Sequence, residues 1–178
     1  PWMKYYSYEE RNIELPKMKI YDYLYKNNQS NLNRIAINYF DNKITYKELF
    51  QKIDAFATSF VNLGVKNGDI VTLCLPNVPE AVYAFYGLNK IGAVANMIHP
   101  MKSGNEIKEC INLVNSKIMV MIDNSYNEIN KIIDQTNIEK AIVVSAGDSM
   151  PFLMSGVYKS KCETKIDYKD KYIILEII

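Results

Sequence analysis

The sequence predicts an α/β fold, a doubly wound and mainly parallel sheet with helices on both faces. Three observations predict it. Short apolar runs, such as Ile70-Val71-Thr72-Leu73-Cys74-Leu75, recur through the middle of the chain. Stretches with helical spacing of apolar residues alternate with those runs. Three segments, Thr45 to Glu48, Ser103 to Glu106 and Ser125 to Glu128, carry the S/T-x-x-E spacing of a capping box. Strands that are apolar on both faces and joined by helices pair in parallel, through right-handed crossovers.

Taken in order, residues 1–16 show no periodicity and are expected to form an arm with aromatic anchors, Trp2, Tyr5 and Tyr6 among them. Residues 17–160 form the α/β subdomain. Its first helix is expected over 17–28, with Ile20, Tyr21, Leu24 and Tyr25 on one face. Residues 34–40 and Ile44 read as a hairpin turned at Asp41-Asn42-Lys43. Thr45 then opens a helix whose Leu49, Ile53, Phe56, Ala57, Phe60 and Val61 share a face, and Gly64 ends it in the left-handed conformation. Strands follow at 70–75, 93–98, 117–122 and 140–144. Helices are placed at 77–91 (Pro79 in its first turn, Gly92 beyond its end), 103–115, 125–136 and 151–158. Residues 161–178 are left as a connector.

Composition excludes several functions. The chain has 178 residues, 21 Lys plus Arg against 20 Asp plus Glu, and a formal charge of +1, so it lacks the basic footprint of nucleic-acid binders. No apolar run approaches the ~20 residues of a membrane helix. Cys74, Cys110 and Cys162 are widely spaced and form no C-x-x-C, so reduced thiols and a cytoplasmic location are expected.

Ligands of such sheets bind outside the carboxyl ends of the strands. The residues there are Pro76-Asn77, His99-Pro100, Asp123-Asn124 and Ser145 to Ser149. A dinucleotide fingerprint is absent, and Gly87 to Gly92 has P-loop spacing without the Lys-Ser/Thr that should follow. His99 is the only histidine and reads as a polar loop residue before a proline, with a general base near a strand end as its functional alternative. Asp123 reads as a helix-capping acid, with a ribose-binding or phosphoacceptor carboxylate as its functional alternative. The 145–149 segment reads as a connecting loop, with an anion-binding nest as its functional alternative. No residue is assigned a catalytic, cofactor-binding or metal-binding role.

Beyond that point the sequence resembles a known family. Ile44-Thr45-Tyr46-Lys47-Glu48-Leu49 is similar to the first core motif of adenylate-forming enzymes. Gly64-Val65-Lys66-Asn67-Gly68-Asp69-Ile70-Val71 resembles their G-V-x-x-G-D-x-V turn, and Leu75 to Glu80 their L-x-N-x-x-E segment. Lys90-Ile91-Gly92-Ala93 through Pro100 resembles the second core motif. Glu106-Ile107 and the Asn115-Ser116-Lys117 turn also fall where the family has them, and the opening Pro1 to Tyr6 looks like the arm of its acyl-CoA synthetases. The resemblance spans about residues 1–160, and order and spacing together make it specific.

The resemblance implies the first subdomain of an AMP-forming acyl-CoA synthetase. In such enzymes a carboxylic acid and ATP, with Mg²⁺, give an acyl-adenylate and pyrophosphate. The acyl group then passes to CoA or a carrier-protein thiol. The family's phosphate loop, magnesium-binding Thr-Glu, ribose-binding Asp and C-terminal Lys have no match in these 178 residues. The expectation is therefore an inactive fragment that binds none of these cofactors tightly and self-associates through its uncovered second-subdomain face. Thr45, Glu48, Gly64, Gly68, Asp69, Asn77 and Gly92 are expected to serve the fold as caps, turns and helix ends. The alternatives are a stand-alone protein-interaction module derived from such a ligase, or an unrelated nucleotide-binding domain.

Overall fold

The computed structural model describes residues 1–162, 164–166 and 172–174. A short 3₁₀ turn and helix α1 (Tyr8–Arg11) lead to α2 (Ile20–Asn28) and a hairpin of β1 (Ile35–Tyr39) and β2 (Asn42–Thr45). Then come α3 (Tyr46–Asn62), β3 (Ile70–Cys74), α4 (Pro79–Ile91), β4 (Val94–Ile98), α5 (Gly104–Leu113) and β5 (Ile118–Ile122). The described chain continues through α6 (Tyr126–Asn130), β6 (Lys140–Val144), α7 (Phe152–Lys161) and β7 (Ile173–Ile174).

The main sheet is parallel throughout, in the order β4-β3-β5-β6-β7. Its two faces are covered separately. On one, Ile53, Phe56 and Phe60 of α3 and Ala84 and Leu88 of α4 pack on Val71, Leu73, Val120 and Ile142. On the other, Ile107 and Ile111 of α5 and Ile129 of α6 pack on Cys74, Met119, Met121 and Ala141. Alternate residues of one strand thus enter different cores, which is why these strands are apolar throughout. All five residues of β5 are buried, as the centre of a doubly wound sheet requires. Each large side chain so buried is worth roughly 1.5–3 kcal/mol.

Two segments that resemble family motifs interlock at the amino edge of this sheet. The Gly68 amide donates to the Gly92 carbonyl at 2.9 Å, and the Val94 amide to the Asp69 carbonyl at 2.8 Å. Asp69 also accepts from the Lys66 amide, closing the turn. Gly92 ends α4 with φ +80, and a Cβ there would stand 2.0 Å from the Asn67 side-chain oxygen. At the same edge the Ser116 hydroxyl, fully buried, accepts from the Thr72 amide at 3.1 Å and lies against the Ile70 and Ile118 carbonyls. Gly64, Gly68, Asp69 and Gly92 therefore have the turn and cap roles expected of them.

Several local expectations are corrected. The hairpin turns at Phe40-Asp41, both with positive φ, not at 41–43, so Asn42 and Lys43 belong to β2. The capping boxes of Thr45 and Ser103 form. Ser125 makes no cap hydrogen bond, because a 3₁₀ turn over Asp123–Ser125 already carries it into helical conformation. Glu128 is then free to pair with Lys131, and the helix expected over 125–136 is only α6 and a later 3₁₀ turn. Asn77 is not a cap either, since the N-cap of α4 is Val78 without a side-chain bond. In α2 it is Tyr21 that is buried, while Ile20 is exposed. The amide of Tyr21 is taken by Asn89 Oδ1 at 2.8 Å. Trp2, Tyr5 and Tyr6 are exposed. Most of the 161–178 connector lies outside the described residues, although α7 runs into it and β7 pairs with β6.

Candidate functional site

The sheet reverses its winding between β3 and β5. The helix after β3 packs on one face and those after β4 and β5 on the other. The crevice at the carboxyl ends of these strands is where such folds place ligands. Of the segments resembling family motifs, those ending in Glu80 and Pro100 reach this edge.

Asp123 follows β5 and is 2% exposed. It is saturated by donors from its surroundings. The Tyr158 hydroxyl reaches Oδ1 at 2.9 Å and Oδ2 at 3.0 Å, the Ser145 hydroxyl donates to Oδ2 at 3.1 Å, and the Asn124 amide to Oδ1 at 2.8 Å. Burial and the adjoining carboxylate push the Tyr158 phenol well above its usual range, so it stays a donor. Asp123 is thus the pin of α7 and the loop after β6, in place of the helix cap expected of it, since the N-caps of the 3₁₀ turn and of α6 are Ile122 and Ser125.

The 145–149 loop consumes its own donors. The Ser145 amide donates to Asp148 Oδ2 at 3.1 Å, the Gly147 amide to Ser145 Oγ at 3.3 Å, and the Asp148 amide to the Ser145 carbonyl at 3.1 Å. The Asp148 carboxylate takes the Ser145 amide that an anion-binding nest would offer, which favours the connecting loop. His99 is exposed, and its Nδ1 accepts from the Met101 amide at 3.2 Å within a turn. Gly87 faces α3, where a Cβ would meet the Ala57 nitrogen at 3.1 Å, so its spacing to Gly92 reflects helix packing.

Glu80 is the feature that sequence reasoning passed over as a motif position. It is 6% exposed at the first turn of α4. One carboxyl oxygen accepts from the Ser149 hydroxyl, and the other, Oε2, has no hydrogen-bond partner among the described residues. Burial raises its pKa above the usual carboxylate range. Burial likewise lifts the neighbouring Tyr83 phenol to about 12. Both line a cleft of about 620 Å³ between the hairpin, α3, α4 and the end of β6. Asn42 of the hairpin closes one side by donating to the Ser149 carbonyl at 2.9 Å. The amphipathic pattern of α4 marks its core face but gives no sign that an acid lies on it.

The Ser145, Gly147 and Asp148 amides are engaged within the loop, and among the described residues no group of three His, Cys, Asp or Glu is placed to hold a metal ion. No helix among them is long and apolar enough to cross a membrane.

The family model for AMP-binding enzymes matches residues 24–170, most of the chain. The chain belongs to the AMP-binding enzyme family. Over 108 residues it is 37% identical to an acetyl-coenzyme A synthetase of Bartonella quintana, covering 61% of this chain and 17% of that protein. It is 26% identical over 108 residues to a long-chain-fatty-acid–CoA ligase of Escherichia coli, covering 60% of this chain and 19% of that one. The chain therefore spans less than a fifth of these curated relatives. Its fold matches that of the anthranilate CoA ligase AuaEII with a TM-score of 0.69 at 22% identity, over 72% of this chain and 25% of the other. A long-chain-fatty-acid-CoA ligase from Archaeoglobus fulgidus also gives 0.69, at 20% identity over 89% and 34%. This chain of the AMP-binding enzyme family is thus an acyl-CoA ligase-like N-terminal region with an α/β fold.

Proposed function

We propose that this chain is the first subdomain of an ATP-dependent, AMP-forming acyl-CoA synthetase that joins a carboxylic acid to a thiol through an acyl-adenylate. The family match over residues 24–170 carries this reading. The relatives' names, acetyl-CoA synthetase and long-chain-fatty-acid–CoA ligase, support a carboxylic acid and CoA as the parent enzyme's substrates. ATP and Mg²⁺ belong to that parent, in the cytoplasm. Adenylation needs donors around the transferring phosphates and a cation at the developing charge. The sequence contains no glycine-rich phosphate loop to supply the donors, and the Ser145, Gly147 and Asp148 amides are already engaged. No residue of this chain is given a catalytic role. Residues 1–16 act as an arm, 17–160 as the subdomain and 161–178 as the connection towards a second subdomain.

The test is acid-dependent ATP–pyrophosphate exchange by the purified 178-residue chain, with acetate and with a long-chain fatty acid. No exchange above buffer is expected. Robust exchange overturns the assignment of catalysis to residues outside the chain.

The exposed apolar side of α7 favours an interaction role for the isolated chain. Phe152 is 91% exposed and Leu153 80%, with Val157 beside them. A contiguous apolar surface of this kind is normally covered in a folded assembly. Self-association is expected, and sedimentation across a concentration series measures it. A strictly monomeric chain at all concentrations removes this reading.

A further inference from the structure

The structure buries two carboxylates at the carboxyl edge of the sheet and treats them differently. Asp123 has both oxygens bonded, whereas Glu80 has one oxygen engaged and Oε2 without a partner among the described residues. A buried acceptor left unmade is costly and rare, so a group of this kind points to a partner that is bound at other times. Glu80 lines the cleft of about 620 Å³, within the size range of small-molecule sites. Ile44, Phe56 and Val144 give that cleft an apolar wall. Its charged groups are Glu80 from α4, Glu48 and Lys52 from α3, Lys43 from β2 and Asp148 from the loop after β6, three acids against two lysines, and the phenols of Tyr83 from α4 and Tyr39 from β1 also face Glu80. Glu48 is held by Thr45 and Asp148 by the Ser145 amide, which leaves Glu80 as the acid with an open acceptor.

We propose that this cleft binds a primary ammonium group on a short apolar chain, with the ammonium on the Glu80 carboxylate and the chain against Ile44, Phe56 and Val144. Turning Oε2 towards the cleft carries Oε1 off the Ser149 hydroxyl, so the charge-assisted bond from the ammonium replaces that hydrogen bond. An ammonium supplies the missing donor and compensates the desolvated charge together. It also draws Glu80 into its ionised form, so binding releases a proton wherever the empty site holds one. The site does not depend on the ligase reading, and it requires neither ATP nor CoA.

The experiment is a titration of the 178-residue chain with n-butylammonium chloride, followed by amide NMR shifts, with tetramethylammonium chloride at equal ionic strength as control. The control carries the charge but no N–H donor. Expected are saturable shifts centred on Glu80, Tyr83 and Ser149, with none from the control. The near-isosteric E80Q variant, its folding checked by circular dichroism, is expected to bind at least about tenfold more weakly. With unmodified protein, affinity is expected to fall as pH is lowered towards the usual carboxylate range, as Glu80 takes up its proton. Unsaturable shifts, equal response to tetramethylammonium, undiminished binding by folded E80Q, or affinity independent of pH each overturn the proposal.

Discussion

The phenol of Tyr158 donates to the carboxylate of Asp123, 2.9 Å from one oxygen and 3.0 Å from the other, and so fastens α7 to the end of β5. The two residues are 35 positions apart. Hydrogen bonds to charged groups are worth about 1.5–3 kcal/mol, and loss of the donor strands a buried acid. Tyr158→Phe should therefore lower unfolding stability by about 2 kcal/mol, read as a shifted urea midpoint with unchanged slope. A change below about 0.5 kcal/mol would show that water replaces the phenol.

Glu80 gives a pH dependence with a definite sign. Its pKa is raised in the folded chain by burial, so between the unfolded value and the folded one the native state holds the proton more tightly. Stability is then fully present below the unfolded pKa and falls as pH rises through the folded one. E80Q copies the neutral form. It should be more stable than the unmodified chain by about 1–2 kcal/mol at pH 8 and equal to it near pH 4. Thermal denaturation across pH checks this, and parallel curves for the two proteins would dismiss it.

Gly92 is constrained twice, by φ +80 and by a Cβ position 2.0 Å from the Asn67 side-chain oxygen. That oxygen is the end of a side chain and can move, so the backbone strain persists after it does. Gly92→Ala should cost about 1–2 kcal/mol. Adding Asn67→Ala should recover only the steric part, which a double-mutant cycle measures.

The three S/T-x-x-E segments should separate on mutation. Thr45→Ala and Ser103→Ala each remove a formed cap and should cost about 1 kcal/mol. Glu128→Ala removes only a surface ion pair and should leave the denaturation midpoint unchanged. The Ser103 hydroxyl and amide hold Glu106 at a pKa of about 2. That lowered value contributes stability above the unfolded pKa, lost as pH falls through the folded one. Ser103→Ala should therefore also reduce acid sensitivity between about pH 5 and pH 2.

What could be read from the sequence were the features written in consecutive residues. The capping boxes at Thr45 and Ser103, the glycines that end helices and turns, and the apolar strands are local matters of spacing and backbone sterics. They were enough for an α/β sheet covered on both faces. Ser125 shows where local reasoning stops, since its motif is intact but the preceding Asp123–Ser125 turn has already taken the conformation the cap would need. The hairpin turn at Phe40-Asp41 was missed for a related reason. Positive φ at Phe40 is imposed by the pairing of Tyr39 with Asn42, not by a turn-forming residue.

The sequence by itself determined the fold class, the order of most elements and the resemblance to adenylate-forming enzymes, because caps, turns and hydrophobic periodicity act over a few residues. Only the tertiary structure decided the fate of the charged groups at the carboxyl edge. Asp123 and Glu80 are both acids beside apolar stretches, yet one is saturated by Tyr158, Ser145 and Asn124 and the other keeps an open oxygen. Burial and hydrogen bonding depend on donors brought from 22, 35 and 69 residues away, and no local pattern records which of them will arrive.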